Sequence, residues 1–425
     1  MAERWLVISY WANVEGMACS YHIDDRLRHL LASGVEVEMI TSICGPRPRG
    51  WGGLWHRVPS PSASGHRFEV RHLTRTFRRP WDGIAKTLLT LPLLPLYWVE
   101  KCVARFESTF WWWAAAACVG LWRTRRRRPD LIYSTGGAMS AHLAAAVIAR
   151  LRRLPWIAEI QDPLPYQGLG RGPIPHWLVT KLERMIHGRA TGVVYLTQAA
   201  AERAAARTGG TAACRAVYAG AGSPVAGSNC GRGDYLRLLH AGSLSGSRTP
   251  ETLLRALGNL AARNDQARRE IRLTLLGATD AGVRRMAEAF SHPEMIEVIE
   301  KLPRREAWER VERADLLLVI QNHDPVSAET IPSKTYEYLV SGRAVLGLAY
   351  RNPELAAMLR EAGHRVVQVD DVAAIEAELE NLYEAWREAG LTATPCDRYT
   401  AERAVAELIA WSRDLRAPER TAARV

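Results

Sequence analysis

The stretch "YLRLLHAGSLSGSRTP", residues 235–250, decides how the fold is read. An apolar run ends at Ala241, a loop of glycine and serine follows, and Thr249–Pro250 open a helical pattern. A strand that closes on such a loop and passes into a helix is half of a βαβ unit, built on a parallel sheet. The loop offers free backbone N–H groups beside a helix N-terminus, and Arg248 adds a guanidinium, so the residue types suit an anion. Glycine- and serine-bearing loops before helices are common, so the weight falls on what surrounds this one.

The same alternation continues downstream through "EIRLTLLG" (270–277), "ADLLLVIQ" (314–321), "RAVLGLA" (343–349) and "HRVVQV" (364–369). Upstream it appears in "WLVISY" (5–10), "VEVEMIT" (35–41), "PDLIYSTGG" (129–137), "PWIAEIQD" (155–162) and "TGVVYLT" (191–197). Between the two series, "YAGAGSPVAGSNCGRGD" (218–234) has the composition of a linker. The expected architecture is α/β, with two Rossmann-like doubly wound domains facing a cleft. Residues 1–217 form the first, 218–234 the linker and 235–399 the second, and a helix in 400–425 returns to the first. Residues 43–80, rich in Pro, Gly, Trp, His and Arg without clear period, read as an extended loop or flap.

A chain of 425 residues fits two domains, and 48% apolar with 24% charged residues describes a packed globule. The net charge of +11 points to an anionic partner: nucleic acid, a phosphorylated small molecule or an acidic membrane. No basic aromatic platform or reading helix is visible, which sets nucleic acid aside. Seven scattered cysteines without a C-x-x-C pair argue for a reducing compartment and against structural zinc. The opening "MAERWLVISYW" is strand-like, so no signal peptide is expected. Residues 84–128 carry two apolar runs with clustered tryptophans, followed by Arg123 and Arg125–Arg128. Neither run is long enough to span a bilayer, and they read as interfacial helices beside an anionic lipid surface. The plain alternative is a core helix with a solvated basic end. The expected location is cytoplasmic, peripheral on the inner face of the membrane.

A second place for a phosphate lies in "IPSKTYEYLVSGRAVLGLAY" (331–350). Ser333 reads as the N-cap of a short helix entered through Pro332, with Lys334 at its first position among orphan N–H groups. Lys334 is one of five lysines in a chain whose basic residues are otherwise arginine. Glu337 falls one turn later, and Glu329 stands eight positions before it. The competing reading is a helix whose Lys and Glu pair on its wet face.

With these segments in view, the chain resembles a GT-B-fold retaining glycosyltransferase of the family 4 type, in the subgroup acting on bacterial polysaccharides and lipid-linked glycans. The resemblance rests on "RLLHAGSLSGSRTPETLLRAL" (237–257), "VIEKLPRREAWERVERADLLLVI" (298–320) and "SKTYEYLVSGRAVLGL" (333–348), with "GMACSYHIDDRLRHLLASGVEVEMITS" (16–42) in the first half. It implies that Arg248 and Lys334, with Gly242 and Ser243, hold a donor diphosphate. It also implies that Glu337 binds the ribose, Glu329 contacts the donor sugar, and Ile299 and Leu302 flank the base. Gly16 would let the first loop approach the donor, and Asp162 would orient the acceptor hydroxyl; Glu159 reads as structural. The family's glycine-bearing loop around the first glutamate is replaced here by "NHDPVSAETIP".

The implied reaction transfers a sugar from a nucleotide-diphosphate donor to a membrane-associated or polysaccharide acceptor with retention. No cofactor and no metal are expected, and the expected partners are the nucleotide sugar, a lipid-linked or glycan acceptor and an anionic membrane surface. A sugar-nucleotide epimerase of the same fold is the alternative enzyme, and a non-catalytic anion-binding protein with this fold the alternative class.

Overall fold

The computed structural model describes residues 2–15, 17–74, 81–103, 108–164, 176–210, 212–222, 233–277 and 279–417. The chain divides into two compact units, Met1–Tyr218 with Val405–Val425, and Ala219–Ala404.

The first unit is built on strands β1 (Arg4–Ile8), β2 (Glu36–Ser42), β3 (Leu54–Val58), β4 (Leu131–Gly136), β5 (Trp156–Ile160), β6 (Gly192–Tyr195) and β7 (Ala213–Ala216). They lie in the order β3-β2-β1-β4-β5-β6-β7, all neighbours parallel. The central strands are buried along their whole length: every residue of β4 and β5 is inaccessible, as expected for a sheet covered by helices on both faces. One buried polar cluster ties this sheet to helix Ala18–Ala32. Glu159 of β5 accepts from Arg26 Nε at 3.1 Å and from Thr135 Oγ1 at 2.5 Å, and lies 2.8 Å from His22 Nε2. Arg26 also donates to the carbonyls of Val217 and Tyr218, fastening the end of the segment after β7. Burial alone pushes the Glu159 carboxyl up, but Arg26 and His22 hold it well below the usual carboxylate range.

Residues 43–80, read above as an unstructured flap, contain β3 and the helix Ala63–Leu73. Ser62 caps that helix by accepting from Gly65 N, and the Glu100 carboxylate accepts from Ala63 N and Ser64 N at 2.9 and 2.8 Å. The two apolar runs also part company. Helix Trp112–Arg126 belongs to the core: Trp112, Ala116, Ala117 and Gly120 are buried. A Cβ on Gly120 would stand 2.3 Å from Ile148 Cδ1, so the small-residue face lets this helix lie close against helix Met139–Arg152. Its basic end is largely engaged, Arg123 with Glu38, Arg127 with Glu36, and Arg126 over the Trp122 ring. Helices Trp81–Thr90 and Leu94–Val103, in contrast, leave Trp81, Leu88, Leu96 and Trp98 more than half exposed, as is Leu91 in the turn between them. Among the described residues no helix is long and apolar enough to cross a membrane.

Helix Ala401–Asp414 is the last helix among the described residues, and its part from Val405 onward belongs to the first unit. Glu407 accepts from Arg215 at 2.9 Å, Arg413 donates to Glu3 at 3.0 Å, and Trp411 covers Gly192, where a Cβ would stand 2.6 Å from its ring.

The second unit carries β8 (Leu236–Ala241), β9 (Ile271–Leu276), β10 (Ile296–Ile299), β11 (Leu316–Ile320), β12 (Ala344–Ala349) and β13 (Arg365–Gln368), in the order β10-β9-β8-β11-β12-β13. All of these neighbours are parallel too. β11, "LLLVI", is buried at every residue, and truncating one such leucine to alanine costs about 2–5 kcal/mol. Helix Glu251–Arg263 turns Leu253, Leu254, Leu257 and Leu260 to the sheet, the i, i+3/i+4, i+7 spacing of an amphipathic helix. The strand order reverses between β8 and β11, which puts a topological switch point at their carboxyl ends, the place where open α/β sheets bind ligands.

Candidate active site

The loops after β8 and β11 and the helix Ser333–Val340 meet at this switch point, and their meeting depends on one glycine. Gly242 has φ +148°, in the region that disfavours side chains, and its N–H donates to Leu276 O at 2.7 Å. A Cβ there would stand 2.6 Å from Lys334 Nζ and 3.1 Å from Lys334 Cε. The glycine is thus the roof over the lysine amine. One residue back, Ala241 N donates to Tyr338 Oη at 2.9 Å, so the same helix also holds the end of β8 through its buried tyrosine.

Lys334 is not on a wet face. It is nine-tenths buried, and its Nζ lies 2.7 Å from His240 Nε2. His240 is wholly buried in β8, and its Nδ1 lies 3.0 Å from Leu318 O of β11. A carbonyl only accepts, so the ring proton sits on Nδ1 and the Nε2 lone pair faces the lysine. Burial first, then the positive charge of Arg248, push the Lys334 amine well below the ordinary lysine value, with Glu337 pulling the other way. Burial also pushes His240 well below the ordinary histidine value, and Lys334 and Arg248 add to that, so His240 is neutral.

The loop after β8 turns tightly, with Arg248 N donating to Ser245 O at 3.1 Å and Gly246 N to Asp280 Oδ2 at 3.2 Å. It is bonded directly to the loop after β11: Ser247 Oγ donates to Asp324 Oδ2 at 2.7 Å and His323 N to Ser247 O at 3.0 Å. Asp324 caps the short turn Pro325–Glu329, and Gln321 Nε2 and Asn352 Nδ2 both donate to the carbonyls of Ser327 and Thr330. The Nε of Arg248 is buried with no hydrogen-bond partner. Burial lowers the guanidinium's value, and the Asp324 carboxylate opposes it. The crevice therefore carries a guanidinium with an unspent donor, a buried amine and the open N-terminus of helix Ser333–Val340, a set that favours a dianion.

The sequence-derived candidates fall as follows. Gly242, Arg248 and Lys334 come together at the switch point, and Ser243 is exposed in the same loop. Glu329 is buried at the end of the short turn that Asp324 caps. Glu337 is one-third exposed and accepts from Arg304 at 3.0 Å; it pairs with that arginine, not with Lys334. Ile299 closes β10 and accepts from Gly277 N at 2.9 Å, and Leu302 is half-buried just beyond it. Ser333 is not the N-cap: Pro332, extended at ψ 132°, holds that place, its carbonyl accepting from Thr335 N at 2.9 Å. Ser333 is then the first helical residue and Lys334 the second. In the first unit Asp162 is exposed beyond β5, and Gly16 lies outside the described residues. Beside that loop, a cavity of about 360 Å³ is lined by Asn13, Glu15, Tyr21 and Asp24. Asn13 holds φ +53° there, its N–H bonded to Asp24 Oδ1 at 2.7 Å.

Sequence reasoning missed His240, Tyr338 and Asp324. The signal for His240 was present: it is the one ionisable residue two places before the glycine in an otherwise apolar strand end, "LLHAG".

The family described as glycosyl transferase 4-like domain matches residues 20–220. No curated protein sequence matches the chain. Among solved structures, sucrose-phosphate synthase from Thermosynechococcus elongatus is similar over 98% of this chain and 99% of its own, with TM-score 0.60 and 15% identity. The lipopolysaccharide outer core galactosyltransferase WaaB is similar over 97% and 100%, with TM-score 0.60 and 10% identity. Anabaena HepE, solved in complex with UDP-glucose, is similar over 96% and 99%, with TM-score 0.57 and 12% identity. At these identities the structures speak to the fold. The chain has the GT-B fold, and its residues 20–220 match the glycosyl transferase 4-like domain.

Proposed function

We propose that the protein is a retaining glycosyltransferase that moves a sugar from a nucleotide-diphosphate donor to a membrane-associated or polysaccharide acceptor. The observation that carries this reading is the crevice at the β8/β11 switch point, where Gly242, Arg248 and Lys334 gather at the N-terminus of helix Ser333–Val340. The Arg248 guanidinium stands close enough to lower the Lys334 amine, and its Nε has a donor to give to an incoming anion. A diphosphate set against them would gain most as the glycosidic bond breaks and charge builds on the leaving nucleotide, which is where such groups accelerate a reaction. In this reading Arg248 and Lys334 do the work a metal does elsewhere, and no cofactor is called for. Glu337, already bonded to Arg304, stands one turn along the helix as the ribose contact. Glu329 serves the donor sugar, and Ile299 and Leu302 the base. Asp162, exposed in the first unit, orients the acceptor.

The acceptor side of the proposal draws on helices Trp81–Thr90 and Leu94–Val103. Their exposed Trp81, Leu88, Leu96 and Trp98, with Leu91 in the turn between, suit the headgroup level of a bilayer on the cytoplasmic face. Helix Trp112–Arg126 takes no part in this, since its apolar face is in the core.

The test is a thermal-shift panel of nucleoside diphosphates and nucleotide sugars, followed by transfer assays on the Lys334→Ala variant. A ligand that binds only the folded chain raises its melting temperature. A nucleotide that stabilises the native chain, with transfer lost in the variant, supports the reading. A panel without any shift, or full transfer by the variant, overturns it.

A further inference from the structure

The pairing of Lys334 with His240 has no evident packing purpose. A leucine in place of either residue would fill the same space without the cost of burying an amine and an imidazole. The pair is nonetheless built with care. His240 is anchored at Nδ1 by the Leu318 carbonyl, 3.0 Å away, so its ring cannot turn and its Nε2 lone pair has one direction. Along that direction, at 2.7 Å, lies Lys334 Nζ, and above it is Gly242, where no Cβ blocks the amine from the loop that carries Arg248.

We propose that His240 is a positioning residue for the donor site: it holds the Lys334 amine beneath Gly242, and the pair takes up one proton from solvent when the donor diphosphate arrives. The inference rests on the reading that Arg248 and Lys334 meet that diphosphate. The charged and titratable groups facing the amine account for the proton. On β8 stands neutral His240, and on the following loop Arg248, whose charge opposes a second cation. The lysine's own helix supplies Glu337, which favours the cation but is shared with Arg304, and Tyr338, whose hydroxyl is spent on Ala241. The loop after β11 supplies Asp324, which acts on Arg248 and is bonded to Ser247 and Asn322. Among the described residues, the surroundings of the amine therefore offer the ammonium a repelling arginine, a half-committed glutamate and no full counter-charge, while burial disfavours it further. A diphosphate supplies the missing counter-charge, and the amine becomes ammonium with His240 Nε2 still accepting one of its protons. This leaves the other N–H groups to turn toward the ligand.

The experiment is calorimetric titration of the full chain with whichever of UDP, GDP, ADP and dTDP gives the largest thermal shift. It is run in buffers of different ionisation heat, which counts protons taken up per nucleotide bound. Because the count is per bound nucleotide, it is insensitive to any fraction of a variant that fails to fold. The wild type is expected to take up a proton and to bind more weakly as pH rises from neutral. Lys334→Met should bind without uptake. His240→Asn keeps the donor to Leu318 but removes the acceptor for the amine, so uptake should fall toward zero and affinity drop about tenfold, the equivalent of one charge-assisted hydrogen bond. His240→Gln places a carbonyl oxygen near the lost Nε2 and should recover most of both. Tight binding with no uptake by the wild type overturns the inference and leaves the donor site standing. So does a His240→Asn variant with wild-type uptake and affinity. If none of the four nucleotides binds, the donor-site reading itself falls and this inference with it.

Discussion

Replacing Gly242 by alanine puts the crevice under two separable loads. The first is conformational: φ +148° is a backbone that a side-chain-bearing residue adopts at a cost of about 1–3 kcal/mol. The second is steric, since the new Cβ would stand 2.6 Å from Lys334 Nζ and 3.1 Å from Cε. Both contacts are with the far end of a flexible side chain, so the lysine moves and the backbone stays, which adds little to the stability cost. The functional cost is different in kind, because the amine leaves His240 and the place from which it faces the Arg248 loop. The variant should unfold about 1–3 kcal/mol sooner, a few degrees for a unit of this size, while nucleoside diphosphate affinity falls by tenfold or more. Gly242→Ala combined with Lys334→Ala separates the loads: the stability loss persists, since φ is unchanged, but the double variant binds no more weakly than Lys334→Ala alone. Chemical denaturation and nucleotide titration of the three variants read both quantities. Two results refute the reasoning: Gly242→Ala binding nucleotide as tightly as wild type, or affinity losses that simply add.

Other consequences follow from the first unit and its surface. Glu159 is held below its ordinary value, so the stability it contributes is present above the unfolded carboxylate's pKa near 4.5 and is lost as pH falls through the folded value. Urea midpoints taken from neutral to acid should drop more steeply in wild type than in Glu159→Gln, which should itself lose about 3–5 kcal/mol at pH 7 by leaving Arg26 buried without its counter-charge. Glu69 behaves oppositely. Burial raises it to about 7, so folding disfavours its ionised form and stability falls as pH rises from about 4.5 to about 7. Glu69→Gln removes that fall, which the same urea series over this window detects. Leu88→Ser with Trp98→Ser should weaken cosedimentation with anionic vesicles without moving the melting temperature, since both side chains are more than half exposed; unchanged cosedimentation refutes the interfacial reading. Sugar transfer should survive a chelator, and its loss on EDTA treatment, restored by a divalent ion, would show that Arg248 and Lys334 do not suffice.

The interior strands were legible because both their faces are buried, which writes them as unbroken apolar runs such as "LLLVI" and "AVLGLA". The strands that escaped, β3 "LWHRV", β7 "ACRA" and β10 "IEVI", are all sheet edges. An edge strand keeps part of its surface wet, so its hydrophobic signal thins to two or three residues and merges with a loop. Helix Trp112–Arg126 misled for a related reason. Tryptophans and alanines suit both a bilayer surface and a close helix contact, and only the approach of Ile148 to Gly120 decides between them. At the site, the residue types of Arg248 and Lys334 were readable but the direction of the lysine was not. Whether the second residue of a short helix points to solvent or back under a neighbouring strand depends on how that helix is set against β8, which no local pattern encodes.

That direction alters the chemistry assigned to the stretch 331–350. A lysine paired with Glu337 on a wet face would be fully charged and mobile, and it would give an incoming phosphate little that a surface arginine does not. Under Gly242 it is held against a neutral histidine and a nearby arginine, with Glu337 committed to Arg304. The surroundings of the amine are therefore short of negative charge in a place that burial keeps from bulk water. Such a deficit is costly to the folded chain and is relieved by a ligand with closely spaced negative charges. Neutral sugars or a single distant carboxylate relieve it far less, because the Coulomb gain falls with distance and the helix N-terminus acts only within its first turn. If the proposed diphosphate binds here, the same imbalance makes binding strengthen as pH falls. Affinity that is flat in pH would mean that Lys334 is already charged before the ligand comes.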